Sequence, residues 1–488
     1  MEASLNSNWI VLPVMVPLLG ALLGFLLPGW TRFIGLVSVV VSATSVFVLG
    51  RQLLLAGPVA HAVGGWGAPL GIVLQVDGLS LLMLGITAVV FVAVSVHASE
   101  FFSLPQRRHF WPIWLMLLGA LNALFVSGDI FNLYVTLELM TLAAVALTAL
   151  GDEPEALAGA MRYLLASLLG SMVYLLGVAL LYHQFGTLDI SLLGERTANA
   201  PTLWLAGGLM FAGLMLKTAL FPLHFWLPAA HASAPAPVSA ILSALVIKAS
   251  FYILLRLWFE IFAPLTSGVL VEIAGGLGAL AILWGSVLAL RQQRLKLLIA
   301  YSTVAQIGYL FVGFALAVAS GSNVIWGAVL MLVLSHALAK SAMFLAAGNL
   351  LHFGGHDRIA DLDCLAQRLP LSVAAFGVAG VSIMGLPPSG GFAAKWLLLQ
   401  AAFEQGRWDL IGVLIIGGLL AAAYVFKVIG PAFTPGSESS QVSPLIALRL
   451  GWPALLLAIA AVGLGLFTLP VLELLAIGDP SNLVGREG

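Results

Sequence analysis

The sequence predicts an all-α integral membrane protein of about fourteen transmembrane helices, with two inverted five-helix repeats, each containing a broken helix. Three observations predict it. The first is composition: 61% of the 488 residues are hydrophobic and 8% are charged, where a soluble domain carries about 25% charged residues. With a mean hydropathy of +1.08, no water-soluble core could hide the apolar surface, so the bilayer must be the solvent. The second is that apolar runs of about 20 residues recur along the chain, divided by short polar or Gly/Pro-containing breaks. The third is a pair of interrupted runs that lie five spans apart.

The first two spans cover about 9–28 and 33–55. The N-terminus, Met1-Glu2-Ala3-Ser4, lacks the basic segment of a cleaved signal peptide, so Trp9 to Leu27 is expected to be a retained first helix. Four more spans cover about 78–98, 110–128, 130–150 and 161–184, and two more about 202–228 and 236–260. The last six cover about 268–290, 297–319, 324–351, 371–404, 409–434 and 446–475. The longest loops, about 56–77, 185–201 and 352–370, are too short to fold alone.

The seventh span runs through Leu216-Lys217-Thr218-Ala219-Leu220-Phe221-Pro222 to Pro228, and Pro222 removes a backbone donor in mid-membrane. The twelfth contains Gly385-Leu386-Pro387-Pro388-Ser389-Gly390-Gly391 before Lys395. Broken helices at membrane depth are tolerated where they line a cavity or are buried in protein. A matched pair of them points to an inverted-repeat transporter. Five is odd, so successive repeats are inverted. The chain divides into N-terminal helices (1–109), a first repeat of spans four to eight (110–260), a second of spans nine to thirteen (268–434), and a final helix (446–475). Each broken helix carries a lysine, and Lys248 of the eighth span is matched by Lys427 of the thirteenth.

Orientation follows from basic residues in the loops. One side holds Arg32, Arg107, Arg108, Arg162, Arg291, Arg294, Lys296, Arg358, Arg368 and Arg449. The other holds Arg51, Arg196, Arg256, Arg407 and Arg486. The larger set marks the cytoplasmic side, which puts both termini outside the cytoplasm.

Of the lysines, only Lys296 sits in an evident loop; Lys217, Lys248, Lys340, Lys395 and Lys427 fall inside apolar spans. A central charge costs roughly 2.5–3.5 kcal/mol, so five at mid-depth and unpaired would cost on the order of 12–18 kcal/mol. A purely structural protein gains little from that. Lysine suits proton handling because a dry site lets it give up its proton, which arginine effectively cannot do. Snorkelling to the interface is the competing reading, strongest for Lys427, which Pro431 and a loop follow. The one acid deep in an apolar span is Glu138; Asp129 lies close to a helix end and is assigned to the interface. A lone intramembrane Glu needs a cationic partner, and Lys217 is the natural candidate. Such a pair holds Lys217 protonated when closed and releases its proton when separated, unless it is a static structural ion pair.

His336 and Lys340 stand four residues apart, hence on one helix face, with Ser335 and Ser341 nearby. This suits a proton relay, with a satisfied core histidine as the alternative. His224 and His231 flank the break after Lys217 and are candidates for lining the way in for protons. No carboxylate or thiol lies close to them in sequence, so no metal site is expected. The single cysteine, Cys364, excludes an internal disulfide, a Cys-ligated iron–sulfur cluster and a multi-Cys zinc site. No P-loop and no strand-borne G-x-G-x-x-G is present, so no ATP drive, Rossmann site or other cofactor is expected. A net charge of −1 gives no electrostatic case for nucleic acid.

The stretch Ser127-Gly128-Asp129-Ile130-Phe131-Asn132-Leu133-Tyr134, leading to Glu138, resembles the fifth helix of the Mrp-type antiporter and complex I proton-pumping subunits. So do LKTALFPLHFWLPAAHASAPAPVSAILSALVIK (216–248), LIAYSTVAQIGYL (298–310), LSHALAKSAMFLAAGNL (334–350) and GLPPSGGFAAKW (385–396). The resemblance spans roughly 110–430, and length and spacing favour the D-type subunits of multisubunit Na+/H+ antiporters. It implies a fourteen-helix fold with inverted repeats, and other membrane subunits as partners. It also implies a Glu138–Lys217 pair, a linking Lys248, a central histidine site at His336 and an exit lysine at Lys395. Lys340 stands where some relatives have a second histidine. The same module occurs in complex I and in membrane-bound hydrogenases, where electron transfer in other chains powers pumping. This chain has no redox or hydrolytic site of its own, so its partners separate the two readings. The spans offer too few carboxylates for an acid-lined sodium site, and whether sodium passes here is left open.

Overall fold

The computed structural model describes residues 8–151, 154–196, 201–263, 268–363, 365–434 and 444–478. Cys364, Arg486 and both termini, which the loop charges assign to the outer side, lie outside the described residues.

Helices account for nearly all of the fold, as expected of a multi-pass membrane protein. With no water in the bilayer core, a helix satisfies its own backbone. The chain opens with α1 (Leu12–Leu26) and α2 (Thr31–Ala56), then a two-stranded antiparallel hairpin of β1 (Val59–Ala62) and β2 (Val73–Val76), in which Val59 pairs with Val76. The hairpin is not evident in the sequence, where 56–77 reads as a plain loop. It is followed by α3 (Gly78–Phe101), α4 (Leu104–Phe125), α5 (Ile130–Thr148) and α6 (Pro154–Phe185). Then come α7 (Pro201–Lys217), α8 (Leu227–Ser233) and the continuous helical run α9 (Ala236–Phe262). The second half holds α10 (Gly268–Arg291), α11 (Leu295–Ser320), α12 (Asn323–Gly354), α13 (Pro370–Met384), α14 (Gly390–Glu404) and α15 (Trp408–Ala432). It closes with α16 (Pro444–Gly463) and α17 (Thr468–Leu475), joined by a 3-10 turn over Leu464–Phe467. The last expected span is thus two helical pieces.

Eleven helices among the described residues are long and apolar enough to cross a membrane. The three other expected spans are α4, whose first turns carry Arg107 and Arg108, and the two broken ones. Caps fix several starts: Asp77 accepts from Ser80 N at α3, Asp129 from Phe131 N and Asn132 N at α5, and Ser389 from Phe392 N at α14.

Both breaks fall where the sequence places them. Helix α7 stops at Lys217, Ala219 takes a positive φ of 58°, and the chain resumes helix only at Leu227. Trp226 Nε1 donates to the Leu216 carbonyl at 3.0 Å, so the freed acceptor stays satisfied. Helix α13 ends in a Schellman pattern: Gly385, at φ 82°, donates to Ser382 O at 3.2 Å and Leu386 N donates to Val381 O at 3.0 Å.

The two halves share a local signature. After α4, Ile130 N donates to Leu188 O and Ile190 N to Gly128 O, a bridge between the start of α5 and the segment after α6. After α10, Leu295 N donates to Asp357 O and Ile359 N to Gln293 O, a bridge between the start of α11 and the segment after α12. The same pair of bonds recurs at the same place in each five-helix block.

The core is α9, α11 and α12. The apolar windows of α9 and α12 are entirely buried, whereas α1, α2 and α15 present most of theirs to the outside. Two basic residues assigned to loops are instead buried in helices. Lys296 is not in a loop: it lies in the first turn of α11, is 7% exposed, and donates to the Ala232 and Ala234 carbonyls. Arg256 is not in a loop either: it sits within α9 at 1% exposure. Both misplacements have one cause, that a basic residue near a span boundary reads as loop when the helix in fact runs on past it.

Candidate functional site

Lys217 is the last residue of α7, immediately before the break, and its side chain reaches α5. Its Nζ lies 2.9 Å from Glu138 Oε1 and 3.0 Å from Thr141 Oγ1, both on α5. Ser171 of α6 also donates to Glu138. The Lys217 side chain is 3% exposed and that of Glu138 16%. Close packing permits the contact. A methyl group on Gly170 would sit 2.8 Å from the Gly213 carbonyl oxygen and 3.1 Å from Lys217 Cγ, so α6 must present a glycine where α7 and the lysine stem cross it. The expected pair therefore exists. Thr141 and Ser171 do not stand out in the sequence, because a hydroxyl in an apolar helix usually satisfies its own backbone, and Ser171 also does so by donating to Ser167 O.

Lys248 is 1% exposed on α9 and donates to the Ser243 carbonyl. Residues Leu242–Val246 are π-helical. A π segment interrupts the ordinary hydrogen-bond ladder and is often found at functional positions. Here it leaves the Ser243 oxygen for the lysine. Nothing in the residue types announces it.

Lys340, with no measurable exposure on α12, donates to Ile299 O at 3.0 Å and to Ser302 Oγ, both on α11. His336 sits one turn earlier on the same helix, and neither ring nitrogen has a hydrogen-bond partner among the described residues. It lies within electrostatic reach of Lys248, Lys340 and Lys395. Lys395 is half-buried on α14, just past the second break; its Nζ donates to Ile383 O at 2.7 Å and stands 4.2 Å from the centre of the Tyr309 ring. Ser335 on α12 contacts Ser382 at 2.6 Å, and Ser382 Oγ accepts from Gly391 N at 3.3 Å, tying the central helix to both sides of that break.

The structure brings Lys248, His336, Lys340 and Lys395 into one electrostatic group, with Glu138 and Lys217 paired in the first half. It separates the two flanking histidines. His231, on α8, is fully buried, stacks on Phe344 of α12 at 4.9 Å, and is within electrostatic reach of Lys296, Lys340 and Lys248. His224 is half-buried in the connection before α8, stacked on Phe221 at 5.6 Å. Lys427 donates to Leu290 O and Gln292 O, each at 2.6 Å. It caps the end of α10 and behaves as the interfacial lysine that snorkelling describes.

A further ionic group goes beyond the sequence expectations. Arg256 binds Asp77 with two nitrogens, at 2.5 and 2.9 Å, and Glu260 at 2.9 Å, and it also donates to Ser80 Oγ and Tyr252 OH. Glu260 lies at the end of α9, so Glu138 remains the acid placed deep in a span, and Glu260 is a second acid paired with a buried cation. The i, i+4 spacing of Arg256 and Glu260 is the signal the sequence offers for it.

These features define a membrane protein of the antiporter-like class, with lysines spaced along its interior and a helix broken in each half. A family model described as NADH:quinone oxidoreductase/Mrp antiporter, transmembrane, matches residues 127–421, more than half of the chain. The chain belongs to that family. It is 36% identical over 490 residues to the N-type subunit of the NADH-quinone oxidoreductase of Desulforudis audaxviator (strain MP104C), covering 96% of each chain. It is 27% identical to the D-type subunit of the Na(+)/H(+) antiporter of Bacillus subtilis (strain 168), covering 95% of this chain and 94% of the relative. Among solved structures it matches a chain of the Mrp complex from Dietzia sp. DQ12-45-1b with a TM-score of 0.90 at 25% identity, covering 99% of each chain.

Proposed function

We propose that this chain is the proton-translocating, D-type subunit of a multisubunit monovalent cation/proton antiporter in the plasma membrane. Protons move along Glu138, Lys217, Lys248, His336, Lys340 and Lys395, with His224 and His231 on the way in. The observation that carries this reading is the buried 2.9 Å pair of Lys217 and Glu138 at the end of a broken helix. A charge pair in that position stores a proton while closed and frees it when α7 moves away from α5. The unpartnered His336 ring, with lysines on either side, supports a relay between the halves. The repeated bridges support two inverted units, 110–260 and 268–434. Exchange of cations for protons in inside-out vesicles, lost in Glu138→Gln, tests it.

A second reading has its own support: the 36% identity to the oxidoreductase relative is higher than the 27% to the antiporter relative. In that reading the same residues pump protons within a redox-driven complex. Purification from the native membrane separates the two. Co-eluting iron–sulfur chains would favour the redox enzyme, and their absence beside other hydrophobic antiporter chains would favour the antiporter.

A further inference from the structure

A groove of about 680 Å³ runs between α2, α3, α12 and the α16–α17 turn, a volume within the range of roughly 300–1,000 Å³ that holds small-molecule ligands. Among the described residues, its walls are apolar except for Arg51, the one charged residue that lines it. Arg51 is exposed, near the end of α2. Among the described residues it makes no hydrogen bond or ion pair. Three helices contribute glycines to the groove, Gly50, Gly85 and Gly463, and a Cβ on Gly85 or Gly463 would meet nothing within 4 Å. The space is therefore built into the backbone positions and does not depend on a side chain swinging aside. The floor is formed by Leu334 and Leu338 of α12, which retain 6% and 5% exposure through it. They stand two residues before and two after His336, so the groove touches the side of α12 that faces away from that histidine.

We propose that this groove binds one anionic phospholipid, with an acyl chain lying over Leu334 and Leu338 and the phosphate held by Arg51. The arrangement of chemistry selects the occupant. An apolar channel holds a hydrocarbon chain, and a planar guanidinium at its edge donates paired hydrogen bonds to a phosphate. A partner helix would have to bring an acid to the same depth, whereas a phospholipid carries its anion at the end of its chains.

The test uses the full chain in its native complex, reconstituted into vesicles of mixed phosphatidylcholine and phosphatidylglycerol. One lipid or the other carries a photoactivatable group on its acyl chain. Phosphatidylglycerol is expected to label Leu334 and Leu338 more than phosphatidylcholine does. Arg51→Gln, at an exposed position, should lower phosphatidylglycerol labelling about fivefold, the factor that one basic contact to an anionic lipid supplies. A Cβ at position 85 meets nothing within 4 Å, so Gly85→Leu should place its side chain in the groove and remove both adducts. Equal labelling by the two lipids, unchanged in Arg51→Gln, would reduce the groove to ordinary lipid-facing surface and overturn the proposal. Absence of lipid adducts in the unmodified chain, with the groove residues cross-linking to another subunit, would overturn it in favour of a protein occupant.

Discussion

Lys217 reaches Glu138 at 2.9 Å from the last position of α7, immediately before the break. Thr218 N still donates to Leu214 O, so the helix face of α7 sets the direction of the lysine, and Gly170 leaves room for its stem. The pair therefore stands at the edge of the break.

Glu138→Gln and Lys217→Ala should each abolish cation/proton exchange while the protein still accumulates and assembles. A buried charge left without its partner is costly, but neither residue need remain charged. Lysine alone can give up its proton, and glutamate alone can take one. The fold is therefore spared and the switch is lost. Exchange measured in inside-out vesicles checks this, and survival of exchange in either variant would sink the paired-switch reading.

Arg256 should behave in the opposite way. It cannot shed its charge, and it holds Asp77 at the head of α3 against Glu260 at the end of α9. Arg256→Ala leaves two buried carboxylates without a cation, a loss of roughly 3–5 kcal/mol by analogy with other broken buried pairs. A thermal melt of the detergent-purified chain should show a marked drop for Arg256→Ala and little change for Lys217→Ala. Arg256→Lys should recover only part of it, because the two-nitrogen grip on Asp77 is lost. Equal melting of Arg256→Ala and the unmodified chain would remove the structural role assigned to this cluster.

The division between what is legible in the sequence and what is not follows from which chemistry leaves a mark in residue types. Long apolar runs, prolines in mid-span and lysines in apolar surroundings are marks of that kind. They place the spans, both breaks and the six residues of the proposed path. The partner of a buried lysine is marked only when it is an acid, as Glu138 is. Lys248, Lys340 and Lys395 instead hold backbone carbonyls and hydroxyls, and every residue has a carbonyl. The π segment that frees Ser243 O is a property of the backbone ladder. Lys296 and Arg256 read as loop residues because charge ordinarily marks a span boundary, while both are buried by neighbouring helices that sequence order alone does not bring near.

Orientation is open to a direct test. The surplus of basic residues on one set of loops assigns those loops to the cytoplasm. A cysteine placed at Gly488 should then react with an impermeant thiol reagent added to intact cells. Reaction only after permeabilisation would invert the topology, and with it the sides from which protons enter and leave.

The last prediction concerns Lys395. It follows the second break, donates to the Ile383 carbonyl that ends α13, and lies over the Tyr309 ring. The aromatic face and the carbonyl both favour the protonated amine, while the apolar walls around it favour the neutral one. In the proposed path this group loads and unloads a proton as the break shifts. Lys395→Ala should leave assembly near normal, because alanine is a good helix former and the burial of a charge is relieved. Proton movement should nevertheless be lost. Lys395→Arg keeps the charge and the ring contact but holds its proton permanently, so it should fail as completely as alanine does. Proton flux in reconstituted vesicles separates the possibilities: near-normal flux in Lys395→Arg would mean that the position needs only a positive charge, and that the proton leaves by another group.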